Sequence, residues 1–183
     1  MVRYWGGDPR LVSALQHRGV QVATIGEAAG FADVRRNVRA IARDLGQAAA
    51  GEALIARMDG QLARANGAWG GATALYLTPS GVTAGPGTLV DAVLSAAGMR
   101  NAESRPGYRQ VSLESLALAP PKTVVLGFFD TFMLSGDSWG PGRHQVLRDL
   151  VRRRAVASLP GSTLGCPDWF AAEAAELLAR RAP

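Results

Sequence analysis

Between Thr88 and Pro121 the chain reads TLVDAVLSAAGMRNAESRPGYRQVSLESLALAPP, and the punctuation of this stretch decides the fold. Gly87-Thr88 opens a helix at an N-cap, and Leu89, Val90, Val93, Leu94 and Ala97 supply its buried face at helical spacing. Gly98 closes it as a left-handed C-terminal residue does. The loop that follows holds an aromatic, Tyr108. A second short helix begins at Ser112, and Pro120-Pro121 stops it. Lys122–Phe129 then reads as an apolar strand of the kind buried on both faces.

Outward from this stretch the same alternation continues. Asp8-Pro9 fits a helix start, with Leu11, Val12 and Leu15 on one face and Gly19 at the end. Val20–Ile25 is β-branched enough for a strand. Phe31–Leu45 has Phe31, Val34, Val38, Ile41 and Leu45 at helical spacing, with Arg35, Arg36, Arg39 and Arg43 opposite. Gln47–Asn66 is a second helix, striped by Leu54, Ile55, Met58 and Leu62, in which Gly51 and Gly60 each cost about 1 kcal/mol relative to Ala. Ala72–Leu77 is a strand, Pro79–Gly87 an irregular loop, Gln145–Arg154 a basic amphipathic helix, Ala155–Ala157 a strand, Pro160–Pro167 a loop and Trp169–Arg181 the last helix. A helical turn is expected at Thr131–Leu134 within the long loop Phe128–Gly142. From Ala72 onward the order is β-α-α-β-α-β-α, which implies a mostly parallel sheet with ligands at the carboxyl ends of its strands.

Composition bounds the partners only loosely. The 183 residues are 48% hydrophobic and 19% charged, an ordinary globular mixture with no apolar stretch long enough to span a bilayer. The net charge of +5 is carried almost wholly by arginine, Lys122 being the only lysine, beside abundant Ala and Gly. A GC-rich coding sequence produces that mixture, so the charge does not by itself call for nucleic acid. Arg148, Arg152, Arg153 and Arg154 read as a solvated helix end, without the interleaved aromatics of an RNA site. The single Cys166 leaves the redox compartment open. His17 and His144 lie far apart with no metal-ligand spacing. Ser80-Gly81 and Ser135-Gly136 lack a nucleophile elbow. Gly81–Thr88 lacks the lysine of a phosphate loop. No cofactor and no catalytic centre is expected.

Three groups of residues resemble a known family. The first is Gly85-Pro86-Gly87-Thr88-Leu89 with Asp91, Gly98, Asn101, Tyr108 and Val111-Ser112-Leu113-Glu114. The second is Gly6-Gly7-Asp8-Pro9 with Leu15, Gly19-Val20 and Phe31–Gly46, and the third is Cys166-Pro167-Asp168-Trp169-Phe170. Together they resemble the periplasmic substrate-binding proteins for cobalamin and iron-siderophore complexes. The resemblance implies an α/β fold of two Rossmann-like lobes joined by a long helix. Residues 1–46 would be a remnant of the first lobe, 47–68 the joining helix and 69–183 the complete C-terminal lobe. It also implies a periplasmic location, although Met1-Val2-Arg3-Tyr4-Trp5 carries no signal-peptide pattern; the chain is expected to be a fragment with an upstream start.

The function implied is capture of a chelated metal, a ferric siderophore or a corrinoid, between the lobes, followed by docking to an ABC permease. Aromatics outside the core pattern gather at strand ends, and flat rings on a concave wall suit a bulky, partly apolar ligand. The expected ligand contacts are Tyr4 and Trp5 from the first lobe and Pro79, Ser80, Tyr108, Phe129, Trp139, Asp168 and Trp169 from the second. Tyr108 and Asp168 match contacts of the cobalamin-binding members, whereas Ala172 stands where those members carry an arginine. Glu114, in the first turn of its helix, matches a glutamate that pairs with permease arginines. A second copy of the chain is a further candidate partner, covering apolar faces of Met1–Gly46. Two rival readings are an α/β enzyme handling metal clusters or tetrapyrroles and a transport-incompetent interaction module.

Overall fold

Val2–Tyr4 (β1) and Ala23–Ile25 (β2) lie side by side in parallel, Val2 opposite Ala23 and Tyr4 opposite Ile25, with Pro9–His17 (α1) as the crossover between them. The computed structural model describes residues 2–4, 8–132 and 144–183. Asp8 caps α1, its carboxylate accepting from the Arg10 N–H at 2.9 Å, and Pro9 occupies the first helical position. Phe31–Asp44 (α2) buries Val34, Val38 and Ala42, and Ala48–Ala65 (α3) follows after the left-handed Gly46. Gly51 does more than weaken α3: a Cβ there would stand 2.4 Å from that of Ala42, so the glycine lets α2 and α3 close on each other.

The remaining elements are Thr73–Leu77 (β3), Val82–Ala84 (β4), Leu89–Ala96 (α4), Arg100–Asn101 (β5), Tyr108–Gln110 (β6), Leu113–Leu118 (α5), Val124–Gly127 (β7), Phe129–Phe132 (α6), Gln145–Arg154 (α7), Ala155–Leu159 (β8), Gly161–Leu164 (α8) and Ala171–Ala179 (α9). Four strands form a wholly parallel sheet in the order β5-β3-β7-β8. Alternate residues of β3 serve opposite faces. Ala74 and Tyr76 join α4, α9 and α3 in the larger core, while Leu75 and Leu77 join Leu116, Leu147 and Leu150 of α5 and α7 in the smaller one. Because β5 and β7 flank β3 on opposite sides, the chain changes direction at the carboxyl end of β3, the place where open α/β sheets form ligand crevices.

The helix from Thr88, its left-handed Gly98 (φ 81°), the Ser112 cap and the helix Gln145–Arg154 are found as expected. Other boundaries differ. The loop Pro79–Gly87 contains β4, and Tyr108 belongs to a strand, since β4 and β6 form an antiparallel hairpin with Thr83 opposite Arg109. Three-residue strands paired across a long loop leave no alternation for the sequence to display. The strand expected as far as Phe129 ends at Gly127, because Phe128 turns the chain at φ 64° and Phe129 starts α6. Val20–Ile25 contributes only three strand residues, α8 interrupts the loop Pro160–Pro167, and the last helix begins at Ala171.

Candidate functional site

Three local devices build a cleft at the carboxyl end of the sheet. The first fixes the loop between β2 and α2. The Asn37 side chain donates to the Gly26 carbonyl at 2.7 Å and accepts from its N–H at 3.2 Å, and the Asp33 carboxylate accepts from Ala29 and Gly30 at 2.9 and 3.0 Å. Partial burial pulls the Asp33 carboxyl upward, but these two N–H groups and Arg36 outweigh it and hold it below its ordinary value. The second device is the start of α4, where the Thr88 hydroxyl accepts from Asp91 N–H at 3.2 Å and donates to the Gly85 carbonyl at 2.8 Å. The third is the β4–β6 hairpin, tied to α4 by Asn101, whose amide donates to the Ala84 carbonyl at 2.8 Å and to the Asp91 carboxylate at 2.9 Å.

Between these devices lies a cavity of about 450 Å³. Glu27, Ala28 and Ala29 form one wall, Gly87–Val90 and Tyr108 the other, and Leu164, Gly165 and Pro167 the floor. A second cavity of about 310 Å³ continues past Val90, Tyr108 and Leu164 towards Tyr76, Thr78, Ser80, Val82 and Phe128. Tyr108, 61% exposed, therefore stands on the ridge between two chambers. Each is of the size that takes a small molecule or cofactor, about 300–1,000 Å³. The buried Tyr76 phenol is pushed well above its ordinary value, by burial first and by the Tyr108 phenol second, so it stays neutral at the floor of the sheet. Phe128, a bulky residue held at φ 64°, is backbone strain located at the cleft.

Among the expected contacts, the structure brings Ser80 and Tyr108 together in this cleft, and Pro79 sits half-buried in the turn beside them without lining either chamber. Phe129 packs instead on the smaller core with Leu75 and Leu147, because the chain turns at Phe128 and sends the next ring to the opposite face. Trp169 packs against the larger core, its ring 4.7 Å from that of Phe170. Asp168 and Trp169 line an apolar groove of about 290 Å³ against Val34, Val38 and Ile41 of α2, which meets the larger chamber at Gly165 and Pro167. Burial raises the Asp168 carboxyl, opposed by the Phe170 N–H that it accepts at 2.9 Å. Trp5 and Trp139 lie outside the described residues, and of Tyr4 only its backbone in β1 is described.

The larger chamber is thus mostly aliphatic with Tyr108 as its ring, and Tyr76 and Phe128 add rings to the second. Sequence reasoning missed Glu27–Ala29 in the loop before α2 and Leu164 and Gly165 at the end of α8, whereas Pro167 lies in the Cys166–Phe170 motif that the resemblance marks as ligand-facing. The glycines Gly26 and Gly30 around the first loop were its only local signal. Glu114 is exposed in the first turn of α5. Its carboxyl is held below its ordinary value by the Ser112 hydroxyl, which donates at 2.7 Å, then by its own backbone N–H and by His144. Among the described residues no group of three or more His, Cys, Asp or Glu is placed to hold a metal ion.

A parallel sheet whose hairpin rim faces the loop of a separate strand–helix pair, across a pre-formed apolar cleft, is the architecture of a two-lobed solute-binding protein. The family model for periplasmic binding proteins matches residues 7–160, and the chain belongs to that family. Among solved structures, it is similar to the periplasmic heme-binding protein BhuT in complex with two hemes, at 26% identity and TM-score 0.73 over 98% of this chain and 73% of that one. The heme-binding protein RhuT from Roseiflexus sp. RS-1 gives 21% identity and TM-score 0.74 over 98% of this chain and 73% of that one. A protein of an ABC-type Fe3+-hydroxamate transport system from Saccharomonospora viridis gives 17% identity and TM-score 0.70 over 98% and 68%, a likeness of fold. A comparison with curated proteins returned no match. The family is one of substrate-binding transport proteins rather than enzymes. No described helix is long and apolar enough to cross a membrane.

Proposed function

We propose that the chain binds a ferric chelate, heme in the first place, in the cleft around Tyr108 and delivers it to the permease of an ABC importer. The observation that carries this reading is an exposed phenol mounted on a rigid hairpin at the ridge of an aliphatic cleft. A phenolate is a hard oxygen donor and an established axial ligand of ferric heme, while Ala28, Leu89, Val90 and Pro167 offer the flat apolar contact a macrocycle needs. The likeness to a heme-binding protein at 26% identity supports the same ligand class. A corrinoid finds less support, since Ala172, fully buried in the larger core, stands where the cobalamin-binding members carry an arginine.

Titration with hemin, a ferric trihydroxamate and cobalamin, followed by intrinsic fluorescence and visible absorbance, tests the reading. Hemin should bind saturably, and Tyr108→Phe should weaken it about tenfold and change the absorption of the bound ferric heme. A flat response of the unaltered protein to all three ligands removes the proposal, and saturation by cobalamin or the hydroxamate alone replaces heme with that ligand. Glu114 is the proposed contact to permease arginines. Glu114→Arg should leave the hemin titration unchanged and abolish ligand-dependent stimulation of the transporter's ATPase.

A further inference from the structure

Resting on the heme reading, we propose that Glu27 sets the direction in which the ligand lies, turning the carboxylate-bearing edge of the ring away from the β2–α2 wall. Glu27 is exposed, lines the larger chamber and makes no ion pair among the described residues. Its loop cannot readily swing aside, because Asn37 and Asp33 fasten Gly26, Ala29 and Gly30 on either side of it. The other described lining residues are Ala, Gly, Thr, Leu, Val, Tyr and Pro, so no cationic side chain among them neutralises the carboxylate.

The start of α4 lines the same chamber. Its first turn presents Leu89 and Val90 to the chamber, the Thr88 hydroxyl takes the Asp91 N–H, and the Asp91 carboxylate is bonded by Asn101 and does not line the chamber, which leaves Glu27 as the one carboxylate among the described lining residues. Heme carries both of its carboxylates on one edge. A ring placed beside a fixed negative side chain has one favourable orientation, its carboxylates turned away from Glu27. Glu27 is in this sense a specificity-determining residue. The cleft accepts chelates whose negative charge is gathered on one edge, or that carry none, and rejects those with anionic oxygens around the whole periphery, such as a tris-catecholate.

The test compares hemin with ferric etioporphyrin, the same ring without carboxylates, on the full chain and on Glu27→Gln and Glu27→Lys. Hemin should bind about fivefold more tightly to Glu27→Gln, the size of one charge acting through partly solvated space, and more tightly still to Glu27→Lys. Etioporphyrin should bind all three alike. The hemin gain should shrink between 0.01 and 1 M salt, as the screening length falls from about 30 to about 3 Å. Equal changes for the two porphyrins, or a hemin affinity indifferent to both substitutions, overturn the role of Glu27 and leave the heme reading standing. Failure of the unaltered protein to bind either porphyrin removes the heme reading and this inference with it.

Discussion

Gly98 holds the turn between α4 and β5 at φ 81°, and a Cβ there would stand 2.7 Å from the Gly67 Cα and 2.8 Å from its carbonyl carbon. Backbone on both sides of that contact cannot yield as a side chain would. Gly98→Ala should therefore cost about 2–3 kcal/mol, above the usual penalty for a left-handed alanine, measurable by urea unfolding. Glu176 is the residue whose ionisation the fold most visibly exploits. It joins α9 to α3 by accepting from Arg64 at 3.0 Å and is also bonded by Arg180, and Arg64 first, then Arg180, draw its carboxyl down to about 2. An unfolded glutamate titrates near about 4.3, so the stabilisation is complete above that pH and is lost as pH falls towards the folded value. Glu176→Gln should cost about 0.5–1 kcal/mol at pH 7 and lie level with the unaltered protein near pH 2, read from unfolding curves across that range. The left-handed Gly98 was legible in the sequence because a glycine closing an apolar periodicity has few other uses. The partners of Glu176 were not, since Arg64 lies 112 residues away.

Element by element, α4 carries the most consequence for its length. Thr88 is buried, caps the helix and lines the cleft, so cap and wall are one feature. Thr88→Ala should cost about 1 kcal/mol and lower the melting temperature by about 2–4 °C, with Thr88→Ser recovering most of the loss. The β4–β6 hairpin presents Tyr108, and Asn101 ties its Ala84 carbonyl to Asp91 of α4. Asn101→Ala should leave the sheet intact while loosening the hairpin, seen as faster amide exchange at Thr83 and Arg109 and weaker hemin binding. Helices were readable from the sequence because their period is local. The hairpin was not, because its two strands of three residues acquire meaning only when they meet.

For the molecule as a whole, the path from the first wall of the cleft to the second runs through packed helices. The β2–α2 loop is fastened to α2, α2 packs on α3 through Gly51 and Ala42, and α3 packs on α9 beside the sheet. Gly51→Leu should force α2 away from α3 at a cost of about 1–3 kcal/mol and weaken hemin binding although the site is remote, checked by melting and titration together. The sequence by itself determined the alternation of strands and helices, most of the buried faces of α2, α3 and α4 (Leu45, read into the α2 stripe, is 63% exposed), and the family resemblance, because these rest on periodicity, caps and short motifs written in neighbouring residues. Tertiary structure alone decided which rings face the cleft. Phe128 and Phe129, adjacent in the chain, go to opposite sides of the sheet because one residue turns at φ 64°, and Trp169 leaves the cleft to pack on the core. A side chain's direction follows from the backbone torsions and contacts around it, and those exist only once distant segments have come together.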